Sequence, residues 1–360
     1  MKIKGKKPKI TKKKKGGSWL KALLLAIFII FLVRYFVFQT YLINSTSMAG
    51  NLLPGDWLLI NKAAYGTRLP ITPLTLPFTP YRSSHSSPKY YLKWISLPYY
   101  RLPGYSYIKR NDIIAFNYPE EEDVPVDKRI VYLKRCVAIP GDTLKIVNSN
   151  LIVNRKKIKI ENVRFEYLVK VKSNKLSQSV INKYQLNEGV EISNYGEYDL
   201  FLSVEQADKL KKENEIAGVE RELKTSHYDF GYVYPHDPGL GWTLDNYGFV
   251  VIPKAGEKII LNKRNLSIYR DMLEKYENCT ISVSHDSVYI NNIPVKNYFF
   301  KNNYYFVLDD NRDNAKDSRL WGFLPESHII GKVSIILISF NPSASGISKI
   351  RWNRTLTIHF

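Results

Sequence analysis

Residues 44–62 read NSTSMAGNLLPGDWLLINK. Ser45 and Ser47 lie two apart, so in extended backbone both hydroxyls point to one side. Pro54-Gly55-Asp56 makes a turn, and Trp57 to Asn61 reads as an apolar strand. A Ser-x-Ser pair by itself most often satisfies turn backbone. Ser47 therefore becomes a candidate nucleophile only if the rest of the chain supplies a base to take its proton.

Immediately upstream runs the one long apolar segment, Trp19 to Phe38. As a helix it would rise roughly 30 Å, about the hydrocarbon thickness of a bilayer. Lys21 and Arg34 interrupt it only near its ends, where long stems carry their charges back to the interface. Nine lysines and no acidic residue fall in residues 1–17, and they supply nine of the formal +20 charges. That tail lacks the interleaved aromatics of a nucleic-acid surface and abuts an apolar span, so it reads as a topology signal and nucleic acid is not a partner. No small-residue cleavage site follows a short apolar core, which favours an uncleaved anchor over a removable leader. The Lys-rich side stays in the cytoplasm, and the body lies outside. Two cysteines, Cys136 and Cys279, are too few for a disulfide framework and read as free and structural.

Downstream, residues 65–107 hold seven of the eighteen prolines and no sustained period, an irregular excursion whose aromatics suit a lipid interface. Strands follow at Asp112–Asn117 and Ile130–Ile139, then a hairpin of Thr143–Val147 and Leu151–Val153. Strand alternation puts Lys134 on one face with Ile130, Tyr132, Cys136 and Ala138, an apolar set, and Arg135 opposite. A lysine with its ordinary pKa, about 10.4, is almost wholly charged at pH 7, but desolvation on such a face favours the neutral amine. The alternative is a strand-edge lysine reaching water.

Residues 155–303 read as a separate β-rich module. Ser203 with Gln206 forms a capping box opening a helix to about Glu213, a second helix covers Leu266–Tyr276, and a strand hairpin turns at His285-Asp286. The six histidines are scattered without ligand spacing, so no metal or cofactor is indicated. The segment Asp309 to Arg319, DDNRDNAKDSR, mimics the start of a calcium loop but has Asn314 where that loop needs Gly and Leu320 where it needs Glu. Arg312 and Arg319 offer internal partners for Asp310, Asp313 and Asp317, so it reads as a self-paired turn.

Four blocks in order, SMAGNLLPGDWLLINK, RNDIIAF, YLKRCVAIPGD and DDNRDNAKDSRLWGFLP, resemble the boxes of bacterial type I signal peptidases, and the ending KIRWNR resembles their Bacteroidetes branch. The resemblance implies a mainly β protein. An antiparallel β-sheet catalytic core would be formed by 41–154 and 304–360, with 155–303 inserted, 18–40 as anchor and 1–17 as cytoplasmic tail. It implies a serine endopeptidase of the cytoplasmic membrane that removes signal peptides from exported preproteins, with Ser47 as nucleophile and Lys134 as general base. The Ser47 N–H and the Ser45 hydroxyl would form the oxyanion hole, and Met48, Ile130, Tyr132 and Leu133 would wall the substrate. Arg135, Asp310, Arg312, Asp317 and Arg319 would support the site. Signal peptides and membrane lipid would be its partners, and the export machinery a further partner class. The chain departs from the pattern at Asn44 for a proline, Ala49-Gly50-Asn51 for x-Pro-Thr, Asp309 for a glycine, and Ala315 for a serine that would hold the lysine amine. These departures keep open a second reading, a catalytically impaired relative that binds preproteins or assists a partner enzyme.

Overall fold

The computed structural model describes residues 18–358 apart from 76–90, 93, 174, 187, 194, 225–230, 286, 343 and 345. The basic tail, Asp286 of the expected hairpin turn and the middle of the excursion lie outside the described residues. Helix α1 (Ser18–Phe36) carries apolar residues on every side, with Lys21 and Arg34 as its charges near the two ends. Its segment Trp19–Phe36 has a mean hydropathy of 2.1 with none of it buried, and it is long and apolar enough to cross a membrane. The helix stops two residues short of the apolar run and four short of the expected anchor end, because Phe38–Leu42 is recruited into the sheet. The body grips the helix end: Lys62 Nζ donates to the Arg34 and Tyr35 carbonyls at 2.8 and 2.5 Å, and the Thr67 hydroxyl donates to the Phe36 carbonyl. These carbonyls are among the four that a helix leaves without an internal partner, and a cation is the favoured partner there. Burial, with Arg68 and Arg34 nearby, lowers the Lys62 amine to about 8.

Seven strands form the main sheet: β1 (Phe38–Leu42), β2 (Asp56–Asn61), β3 (Ile113–Asn117), β4 (Val131–Ala138), β5 (Tyr304–Leu308), β6 (Leu324–Pro325) and β7 (Ile329–Ser339). Their order is β1-β2-β7-β3-β4-β5-β6, and every neighbouring pair is antiparallel. The protein is therefore mainly β around an antiparallel sheet. Two register shifts between β2 and β7 bend it, as bulges do. β1 and β2 are one hairpin, Phe38 opposite Asn61 and Leu42 opposite Trp57, so residues 43–55, with Ser47 among them, are its long loop. Bonds between Ile43 and the backbones of Gly55 and Asp56 close that loop at its base.

Both faces of the sheet are covered, which explains why β4 is buried on both sides. Val131 and Leu133 pack with Ile43, Met48, Leu52 and Leu58 on one face, and Cys136 packs with Ile114, Phe116 and Trp321 on the other. Arg135, expected to lie away from the apolar set, is consequently buried too.

The hairpin of Thr143–Val147 and Asn150–Val153 turns on positive φ at Asn148 and Ser149 and pairs onward with Tyr247–Val251. A second four-stranded sheet, centred on Arg164–Val171 and Glu197–Ser203, has its own apolar core. The expected helices are present at Val204–Leu210, with both capping-box bonds, and at Lys263–Tyr276, capped by Asn262. Cys136 and Cys279 are free and buried. The described parts of the excursion are tied down: Arg101 donates to the Gly66, Glu326 and Ile329 carbonyls, and Asp127 accepts from Ile71 and Thr72. Its outer rings stay open, with Trp94 85% and Tyr107 88% exposed.

Candidate active site

Three segments far apart in sequence meet at one end of β4. The first is the loop between β1 and β2. Gly50, at φ +125°, lets the loop pass against the Asn162 carbonyl, which a Cβ would approach to 2.1 Å. This close approach accounts for the glycine standing at that departure from the family pattern. The Asn311 N–H donates to the Ser47 carbonyl at 2.9 Å, holding the serine from behind. The C-terminal segment braces the same loop. Arg354 donates to the Asn51 carbonyl at 2.8 Å and to the fully buried Asp56 carboxylate at 2.6 Å, and Arg351 donates to the Pro54 carbonyl.

The second segment is β4. Lys134 is 3% exposed, and its Nζ stands 3.4 Å from Ser47 Oγ and 5.2 Å from the centre of the Tyr132 ring. Its strongest partner is one the sequence reading flags only as an oddity. Both carboxylate oxygens of Asp309 accept from Nζ, at 2.5 and 2.6 Å, and Asp309 is completely buried. The Ser47 side chain faces the same carboxylate. Burial raises the Asp309 pKa above the ordinary carboxylate range; the Lys134 charge opposes that rise and nearby Asp317 adds to it. Asp309 is not among the residues with positive φ, so an acid at this glycine position meets no backbone strain.

The third segment, Asp309–Arg319, is only partly self-paired. Arg319 and Asp317 form the expected buried internal pair at 2.8 Å. Asp310, however, pairs with Arg135 on β4 through two bonds of 2.7 Å, where an internal partner, Arg312, is expected. The Arg312 guanidinium instead donates to the Asp309 carbonyl at 2.9 Å, and Asp313 accepts from the Glu166 N–H. The Asp309 carboxylate also accepts from the Lys316 N–H at 3.0 Å, and its own N–H donates to Asp317 at 3.1 Å. Ala315 offers no side-chain hydrogen bond of its own.

The remaining expected residues are distributed as follows. Ser45 is exposed, and the two expected oxyanion donors bond to each other's residue: the Ser45 hydroxyl donates to Ser47 Oγ at 3.2 Å, and the Ser47 N–H donates to Ser45 Oγ at 3.3 Å. Met48 and Leu133 meet within one apolar cluster, at 2% and 8% exposure, so both stand behind the surface. Ile130 is buried just ahead of β4, and Tyr132 is half-buried on the Lys134 face. Along β4, β3 pairs with Val131 to Arg135, whereas β5 pairs only with Arg135, Cys136 and Ala138. Residues 131–133 therefore keep a strand edge without a ladder partner among the described residues. The Tyr41 hydroxyl donates to the Val131 carbonyl there, at 3.0 Å.

A hydroxyl and an amine, converging at the mouth of a sheet with a free strand edge beside them, are the elements of a peptide-cleaving site. Comparison with known proteins agrees. The family described as signal peptidase, peptidase S26, matches residues 17–212 and 251–338, and the chain belongs to it. The relatives include a signal peptidase I of Buchnera aphidicola, 26% identical over 89% of this chain and 74% of that protein. Signal peptidase I of Helicobacter pylori is 23% identical over 88% and 80% of the two chains, and that of Pseudomonas aeruginosa 23% over 92% and 76%. Arg351, Arg354 and Asn311 are the supporting residues that sequence reasoning missed. The single visible signal for the arginines was the basic ending KIRWNR, which gives no hint of what it touches.

Proposed function

We propose that this protein is a membrane-anchored signal peptidase that cuts exported preproteins with Ser47 as nucleophile and Lys134 as general base. The observation that carries the reading is a buried lysine amine 3.4 Å from a loop serine hydroxyl. In its neutral form the amine takes the Ser47 proton as Oγ bonds to the scissile carbonyl carbon. The tetrahedral oxyanion would be met by the Ser47 N–H and the Ser45 hydroxyl, once each has exchanged the other for substrate. The ammonium then returns the proton to the departing amine, leaving an acyl-enzyme that water hydrolyses by the same route in reverse order. The substrate would lie as an added strand along residues 131–133, its alternate side chains reading shallow pockets near Met48, Tyr132 and Leu133, which favours small residues before the cut.

Helix α1 would anchor the body on the outer face of the cytoplasmic membrane, with the lysine tail inside. The exposed Trp94, Tyr105 and Tyr107 would rest on lipid beside it. Residues 155–303 would be an insertion into the catalytic core. One observation favours the second reading, an impaired relative: the Asp309 carboxylate holds the Lys134 amine as an ion pair. Cleavage of a labelled preprotein by the detergent-solubilised protein decides between them. Loss of cleavage in both Ser47→Ala and Lys134→Ala is expected, by at least about 10³-fold; persistence in either one removes the mechanism.

A further inference from the structure

Asp309 is a completely buried carboxylate in direct contact with the amine of the proposed pair. Its carboxylate receives two bonds from Lys134 Nζ and one from the Lys316 N–H. An amine on a four-carbon stem has many rotamers, and a bidentate acceptor at 2.5 and 2.6 Å selects one of them. That rotamer is the one facing Ser47 Oγ. The acceptor is itself fixed, because the Asp309 carbonyl is held by Arg312 and its N–H by Asp317. Such depth of support is what a group needs in order to position another within a few tenths of an ångström.

We propose that Asp309 is the positioning residue of the Ser47–Lys134 pair and also the place where the lysine's extra proton is held. This rests on the reading of Ser47 and Lys134 given above. The resting pair is an ammonium and a carboxylate. Transfer of one proton from Nζ to an Asp309 oxygen leaves a neutral amine and a neutral acid; the total charge is unchanged and nothing is released to solvent. The amine then accepts the Ser47 proton as Oγ attacks. Burial works in favour of this transfer, since two neutral groups lose less by leaving water than two charged ones, and the raised Asp309 pKa has the same cause. The groups that face the carboxylate are Lys134 and Tyr132 from β4, Asp317 and the Lys316 N–H from its own loop, and the Ser47 hydroxyl. Lys134 is the cation in direct contact with it.

The test measures kcat, KM and the pH–rate profile of preprotein cleavage for the full chain in detergent. The variants are Asp309→Gly, Asp309→Asn and Asp309→Glu, with Ser47→Ala and Lys134→Ala alongside. Asp309→Gly is expected to lower kcat at least 10-fold with KM within twofold. Asp309→Asn keeps an acceptor but cannot hold a proton, so its amine has to release one to solvent and the alkaline-activated limb is expected to shift by a unit or more towards higher pH, a change that loss of packing would not produce; a shift towards lower pH shows that Asp309 only holds the ammonium and overturns its role as proton holder. Asp309→Glu is expected to recover part of the rate and the original limb. Wild-type or faster kcat in both Asp309→Gly and Asp309→Asn, with Ser47→Ala and Lys134→Ala inactive, overturns the role of Asp309 alone. Activity surviving in Ser47→Ala or Lys134→Ala overturns the underlying mechanism instead.

Discussion

Consecutive residues of β4, Lys134 and Arg135, pair with consecutive residues of the returning loop, Asp309 and Asp310. The two ion pairs are close to equal in length and burial, and they point to opposite faces of the same strand. On one face the pair ends at the Ser47 hydroxyl. On the other, Asp310 is surrounded by groups that only hold: two Arg135 nitrogens, the Asn51 amide at 2.8 Å, and an Arg135 bond on to the Asn111 carbonyl. What separates them is chemistry. A guanidinium does not release its proton in a protein, and its planar fork matches a carboxylate edge. An ammonium can release one when its surroundings favour the neutral form. A single register of strand against loop thus sets a rigid clamp beside the lysine proposed as base.

Breaking the clamp has the largest expected effect on stability. Arg135→Ala leaves Asp310 buried without its cation, and removing one partner of a buried pair typically costs about 3–5 kcal/mol. Denaturant unfolding of the solubilised protein should show that loss, while cleavage per folded molecule falls less than in Lys134→Ala. A cost under 1 kcal/mol would mean that the two pairs are alike in being dispensable. Next comes the brace from the chain end. Arg354→Ala removes the bonds to Asp56 and to the Asn51 carbonyl, each of a kind worth about 1.5–3 kcal/mol when a charged group is involved. Because those bonds hold the loop carrying Ser47, kcat should drop together with stability.

The pH response is smallest, and it carries opposite signs within the one loop. Asp309 has a raised pKa, so in mild acid, above the ordinary carboxylate pKa, the folded protein binds protons that the unfolded chain does not. Stability should then rise as pH falls towards that range, by an amount of order 1 kcal/mol, and Asp309→Asn should flatten the rise. Asp317 behaves in the reverse way. Desolvation tends to raise it, but Arg319 and its hydrogen bonds prevail and leave the pKa below the usual value. Its contribution is complete above the unfolded carboxylate pKa and is lost as pH falls through the folded one. Unfolding midpoints between pH 3 and 7, with and without the Asn substitution, resolve the two.

Much of this arrangement could be read along the chain. Trp57–Asn61, Asp112–Asn117 and the capping box at Ser203 are local patterns, and each appears within a residue or a few of its expected place. Lys134 stood out because alternation is a local rule as well. The parts that escaped depend on contacts across long sequence separations. Asp309 looked like a misfit at a glycine position, since nothing in its neighbours shows that it meets a lysine 175 residues earlier. The same holds for Arg354 on Asp56 and for Gly50 against Asn162. The helix ends before the apolar run does for a related reason: apolar residues satisfy a bilayer and a buried strand equally well, and only pairing with β2 separates the two uses.

The grip on the last turn of α1 by Lys62 and Thr67 bears on how such an enzyme would find its cut. Ser47 lies eleven residues beyond Phe36, and five of the intervening residues are locked in β1. With the helix end clasped to the sheet, the proposed nucleophile would sit at a set height above a bilayer surface instead of swinging on a tether. A substrate whose own apolar helix ends at that surface is gauged from the same plane. The joint between anchor and body would then work as a ruler, and the number of residues between a leader's apolar core and its cut would be the length it measures.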